Sequence, residues 1–128
     1  MSKQKEKLTR KEEAIMQLVW KLGRGTVSQL IELLPNPKPP HSSISTVVRS
    51  LEDKGYVSHK AYGRTYEYFP VVSRRDYSGW SLKGLVSSYF GGSMNELVSF
   101  LVEEENLSPE ELKALAEELE NRKKDNES

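Results

Sequence analysis

Residues 41–70, HSSISTVVRSLEDKGYVSHKAYGRTYEYFP, hold the pattern that decides the fold. Ile44, Val47, Val48 and Leu51 recur at i, i+3, i+4 and i+7, which predicts a helix with one apolar stripe. Its opposite face carries Ser42, Ser45, Thr46 and Arg49, short hydrogen-bonding groups and one guanidinium with little bulk to hold the helix out of a groove. Such side chains suit base edges and phosphates, whereas an ordinary solvated face more often carries Glu and Lys. Gly55 can take the left-handed conformation that stops the helix, and residues 56–60, YVSHK, then read as a strand. Residues 61–64, AYGR, supply a turn and residues 65–69 the return strand, until Pro70 ends the pairing for want of an N–H. The hairpin tip is cationic, with Lys60 and Arg64 placed to reach a phosphate or the minor groove beside the helix.

Two more helices precede this segment. Thr9 and Glu12 stand at capping-box spacing, and Ile15, Leu18, Val19 and Leu22 line one face that Met16 and Trp20 widen, before Gly23 ends it. Thr26 and Gln29 repeat the capping spacing ahead of Val27, Leu30, Ile31 and Leu34, and Pro35 closes that helix. Residues 35–40, PNPKPP, are too proline-rich for a helix or a central strand and form a stiff connection. The order α-α-α-β-β predicts a mainly α fold with a small β-hairpin wing, a winged helix-turn-helix over residues 1–72, with a residue or two near Thr26 adding a third strand.

Residues 73–128 read as a helical dimerisation region. Ser73 and Asp76 start a helix carrying Tyr77, Trp80, Leu82, Leu85, Val86, Tyr89 and Phe90, which Gly91 and Gly92 stop. Ser93 and Glu96 cap a second with Met94, Leu97, Val98, Leu101 and Val102, and Ser108, Pro109 and Glu111 start a third with Leu112, Leu115, Ala116 and Leu119. Three amphipathic helices beyond a domain with its own core need a surface to cover them, and a second copy is the simplest one. Tyr77, Trp80, Leu85, Tyr89, Leu97, Val98, Leu101, Leu112, Leu115 and Leu119 are the expected contacts. Residues 121–128 read as a charged, frayed end.

Charge follows the same division. Residues 1–90 hold 15 Lys and Arg against 8 Asp and Glu, a surplus of +7, and residues 91–128 hold 4 against 11, a deficit of −7. A basic front and an acidic tail fit a chain that meets a polyanion at one end and protein or water at the other. The absence of cysteine excludes disulfides and thiolate metal sites and fits a reducing cytoplasm. No apolar run is long enough to cross a bilayer, and the start, MSKQKEKLTRKEE, has no signal-peptide core.

An enzyme is disfavoured, because His41 and His59 stand apart with no cysteine or clustered carboxylate to build a metal or nucleophile site; no cofactor is expected. A winged helix used only for protein contacts is an alternative, which the polar face of the third helix opposes. A ligand-sensing repressor with Trp80, Tyr89 and Phe90 around a pocket is another, although aromatics at helical spacing more often serve a core or an interface.

LTRKEEAIMQLVWKLG, SSISTVVRSLEDKGYVSHK and NELVSFLVEEENLSPEEL carry a resemblance to the penicillinase-repressor family of bacterial transcription regulators, over residues 8–119. The resemblance implies a cytoplasmic homodimeric repressor that binds a palindromic operator in double-stranded DNA. It implies that Ser42, Ser43, Ser45, Thr46 and Arg49 face DNA and that residues 73–122 hold the dimer. It also implies inactivation when a sensor-linked protease cuts the dimerisation region, at the bond equivalent to that between Phe100 and Leu101. Two departures stand out. The family's copper-responsive branch has a C-terminal cysteine motif that this chain lacks, and its β-lactamase branch has Asn-Phe where this chain has Phe100 and Leu101.

Overall fold

A computed structural model describes residues 5–127, with side chains to Asn121. The first four residues of the start read for a signal peptide lie outside the described residues, as do Ser128 and the side chains beyond Asn121 in the stretch read as frayed. Six helices and a hairpin follow in order: α1 Arg10–Leu22, α2 Val27–Glu32, α3 His41–Asp53, β1 Val57–Tyr62, β2 Thr65–Pro70, α4 Arg74–Tyr89, α5 Met94–Glu104 and α6 Pro109–Glu127. The fold is the mainly helical winged helix expected, with one two-stranded antiparallel sheet. No helix among the described residues is long and apolar enough to cross a membrane.

The chain divides into two compact units, Met1–Trp80 and Ser81–Ser128, so the division falls inside α4 rather than after Val72. The cause lies in the first turns of α4. Tyr77 is only 9% exposed, and its ring lies 5.6 Å from that of Trp20 and 5.8 Å from that of Tyr56. Its hydroxyl donates to Glu13 Oε2 at 2.6 Å. Trp80 packs edge-on to Tyr56 at 6.4 Å. Grouped from sequence with the assembly surface, Tyr77 and Trp80 instead complete the core of the first unit, because helical periodicity identifies an apolar face without saying which neighbour covers it.

Capping explains the helix starts. Thr9 and Glu12 close a full capping box on α1, and Thr26 and Gln29 close another on α2. Ile44, Val48 and Leu51 of α3 sink into the core with Ile15, Met16 and Val19 of α1 and Leu30 of α2, while Val47 is half-buried. The hairpin is longer than expected. Its strands pair from Val57↔Pro70 to Tyr62↔Thr65, leaving a two-residue turn with Gly63 at φ 64. Positive φ at the first central position only suits a two-residue hairpin loop opened by glycine. The third strand is a single bridge: Gly25 N–H donates to Tyr68 O at 2.9 Å and Tyr68 N–H to Gly25 O at 2.8 Å. A Cβ on Gly25 would stand 2.8 Å from Leu22 Cδ1.

The second unit has little core of its own. Val86 is its one buried side chain among the described residues, at 4% exposure. Tyr89 is 80% exposed and Leu119 61%, and Leu82, Leu85, Met94, Val98, Phe100 and Leu115 are exposed as well. Phe90 packs edge-on to Phe100 at 5.6 Å. Local chemistry defines the helix ends: Gly91 and Gly92 take positive φ after α4, Asn106 does so after α5, and Ser108 accepts from Glu111 N–H at 3.0 Å to start α6. α6 runs through residues 121–127, which the sequence suggests are frayed.

Candidate nucleic-acid interface

The outward face of α3 is positioned by the face beneath it. With Ile44, Val48 and Leu51 buried, helical geometry turns Ser42, Ser43, Thr46 and Arg49 to solvent and leaves Ser45 half-buried. Thr46 Oγ1 donates to Ser42 O at 2.9 Å, and Arg49 Nη2 donates to Ser45 Oγ at 3.1 Å. A guanidinium has five N–H donors, so most of Arg49 stays available to an outside acceptor. No carboxylate stands on this face between Ser42 and Arg49.

Two polar clusters fix α3 and the wing around that face. Glu12, at 5% exposure, is the one charged residue buried among the described residues; Lys54 Nζ lies 2.7 Å from its Oε1, and the Ser50 hydroxyl donates to its Oε2. Thr9 N–H adds a donor at 2.8 Å. Burial alone would push the Glu12 carboxyl up, but the hydrogen bonds from Lys54, Ser50 and Thr9 outweigh it and hold the group down at about 2. The charge of α1 is thereby bonded to the last turn of α3. On the other side, His59 Nδ1 lies 2.7 Å from Glu52 Oε2, and its ring stacks on Tyr66 at 4.2 Å and 14°. These contacts join β1 to both α3 and β2.

The wing carries the remaining expected residues. Lys60 and Arg64 are exposed, and Lys60 Nζ stands 5.5 Å from the centre of the Tyr62 ring. Tyr62 and Tyr66 are exposed too, giving the hairpin an aromatic and cationic surface. Tyr68 faces inward, and burial raises its hydroxyl above the ordinary 10.0, with the Glu52 charge adding to the effect.

The expected assembly residues have separate settings. Leu85, Tyr89, Val98, Leu115 and Leu119 are exposed, and Leu97, Leu101 and Leu112 are half-buried. Phe100 and Leu101 lie within α5. The three aromatics weighed for a ligand pocket are engaged differently: Trp80 lies on the first unit's core, Tyr89 is largely exposed and Phe90 packs on Phe100. No group of three or more His, Cys, Asp or Glu among the described residues is arranged to hold a metal. Sequence reasoning missed Glu12 as a buried anchor, since its capping position already accounted for it, and missed the bond from His59 to Glu52, which spans a turn of unpredictable shape.

Three helices, a two-stranded wing and an exposed polar face on the third helix define a winged-helix protein. The chain belongs to the penicillinase repressor family, whose model matches residues 8–121, and its relatives are repressors rather than enzymes. It is 29% identical over 115 residues to a penicillinase repressor of Bacillus licheniformis, covering 87% of this chain and 90% of the relative. It is 26% identical over 102 residues to the methicillin resistance regulatory protein MecI of Staphylococcus aureus strain N315, covering 79% and 83%. Among solved structures it is similar to the solution structure of the DNA binding domain of the repressor BlaI. The TM-score is 0.50 at 26% identity, covering 59% of this chain and 94% of the other.

Proposed function

We propose that this protein represses transcription as a homodimer whose two α3 helices read successive major grooves of a palindromic operator. The protein is a DNA-binding transcriptional repressor. The observation that carries the finer reading is the outward face of α3, where Ser42, Ser43, Thr46 and Arg49 are exposed on a helix anchored from behind. Short hydroxyls let a helix approach the groove floor, and Arg49 can bond a guanine edge bidentately. Lys60 and Arg64 on the wing supply charge to the backbone beside the groove.

Dimerisation rests on the second unit, which exposes more apolar side chains than it buries. Residues such as Leu85, Tyr89, Val98 and Leu115 lose that exposure when two copies pair. Joining two reading heads makes the second binding event intramolecular and raises operator affinity without a new DNA contact. A cut between Phe100 and Leu101 would break α5 and release that gain. Because this bond is helical, its cleavage by a sensor-linked protease first requires α5 to open locally.

Sedimentation of the purified protein, alone and with duplex DNA, tests this reading. A dimer at micromolar concentration that binds one duplex as a dimer supports it. A monomer that binds DNA one chain at a time excludes the assembly proposed.

A further inference from the structure

Arg49 and Glu52 stand three residues apart on α3, opposite charges within reach of each other on one helical face. They do not pair. The Arg49 guanidinium leans back to Ser45 Oγ at 3.1 Å, while Glu52 Oε2 lies 2.7 Å from His59 Nδ1 on the wing. An ionised carboxylate only accepts, so Nδ1 carries the proton of that bond. The side chains of His59 and Glu52 are 30% and 29% exposed, so water screens this pair less than one on the open surface. β2 holds the ring from its other side, with Tyr66 stacked on it at 4.2 Å and Tyr68 opposite it in the ladder. Burial raises the Tyr68 hydroxyl, the Glu52 charge raises it further and the Arg49 charge lowers it, so both charges of α3 are felt at this junction. Lys60 and Glu67 pair across the ladder on the opposite face of the hairpin, where Glu67 meets Arg24 at 3.5 Å. Glu52, Arg49, Tyr66 and Tyr68 are therefore the charged and titratable groups that face His59 from α3 and β2.

We propose that His59 is a positioning residue for DNA recognition, which holds Glu52 away from Arg49 and, through its own protonation, links DNA binding to pH. This role rests on the reading of the outward face of α3 as the DNA-binding face. Histidine changes charge between about pH 5 and 8. With the ring charged, the carboxylate of Glu52 is neutralised at the wing junction and Arg49 meets DNA as an unpaired cation. With the ring neutral, the bond loses its charge assistance and the carboxylate turns to Arg49, whose donors are then spent within the protein. DNA favours the protonated form, so affinity is greatest at low pH and is lost as the pH rises through the histidine range. Asp53, four residues after Arg49, is exposed and has no histidine partner among the described residues, so it carries no such link.

Anisotropy titration of the whole protein with a labelled random-sequence duplex, at constant ionic strength between about pH 6 and about pH 8, tests the link. Affinity is expected to fall about fivefold over that range, the scale of one surface ion pair. Glu52→Gln keeps an acceptor for Nδ1 and removes the charge, so its profile should be flat at the tight level. His59→Gln keeps a neutral donor and should be flat at the weak level. The double variant should return to the tight level, a rescue that a merely structural role for His59 does not produce. Arg49→Ala should lose the slope as well, and a slope retained there overturns the action through Arg49. If His59→Gln does not fold, Glu52→Gln decides alone, since a slope retained in it overturns the proposal. His41 is the other histidine of the chain, and a slope that survives in both Glu52→Gln and His59→Gln belongs to it and overturns the role of His59. A flat profile in the intact protein overturns the link while leaving DNA binding in place, and failure to bind any duplex overturns both proposals.

Discussion

Glu12 Oε1 lies 2.7 Å from Lys54 Nζ, joining the first turn of α1 to the residue that caps α3. A buried carboxylate is costly unless it is bonded, and this one is bonded by Lys54, Ser50 and Thr9. The network ties α3 to α1, since Ser50 sits on the last turn of α3 and Lys54 is its C-cap.

Stability should carry the signature of that carboxylate. Its folded value of about 2 lies below the ordinary 4.5, so its contribution is fully present above pH 4.5 and is lost as the pH falls toward 2. The span corresponds to about 3 kcal/mol. Urea unfolding at a series of pH values should show a decline through that window, and Glu12→Gln should flatten it while lowering stability at pH 7 by about 3 kcal/mol. An unaltered pH profile in the variant would mean that another acid carries the effect.

Tyr77 and Tyr89 sit on the same helix and should answer to different measurements. Tyr77 is buried against Trp20 and Tyr56, so Tyr77→Ala should cost the first unit about 3 kcal/mol of folding stability. Tyr89 is 80% exposed, so Tyr89→Ala should leave the melting of the first unit unchanged and raise the dimer dissociation constant. Differential scanning calorimetry paired with sedimentation separates the two, and a reversed pattern would contradict the placement of Tyr77.

Much of this was legible in the chain. Ile44, Val48 and Leu51 announce α3 by their spacing, and their burial dictates that Ser42, Thr46 and Arg49 face outward. Thr9 and Thr26 mark helix starts because capping is a local reaction between residues three apart. What was not legible depends on contacts between distant residues. Trp20 donates to Val72 O at 2.9 Å and meets Tyr77, which pulls the start of α4 into the first core; neither spacing nor composition encodes that pairing.

Arg49 and Arg64 should fail in different ways. Arg49→Ala should relax base preference at one position of each half-site, by about 1–3 kcal/mol. Arg64→Ala should weaken all sequences alike and lower the salt slope by about one unit. Competition titrations over a panel of single-base variants at several salt concentrations distinguish them. Altered base preference in Arg64→Ala, with none in Arg49→Ala, would make the wing the main reader.

A chain ending at Phe90 keeps every residue of the first core and loses α5 and α6. It should stay folded, remain monomeric and bind operator far more weakly than the whole protein. Circular dichroism with anisotropy titration checks this, and undiminished operator affinity would remove the second unit from any role in assembly on DNA.

Sequencing the fragments that the intact protein retains from a random-sequence duplex library reaches the central claim most directly. A homodimer reading with two α3 helices should enrich an inverted repeat whose half-sites lie about one helical turn, or a small multiple of it, apart. Recovery of an unenriched library, or of a single half-site with no symmetric partner, would contradict it.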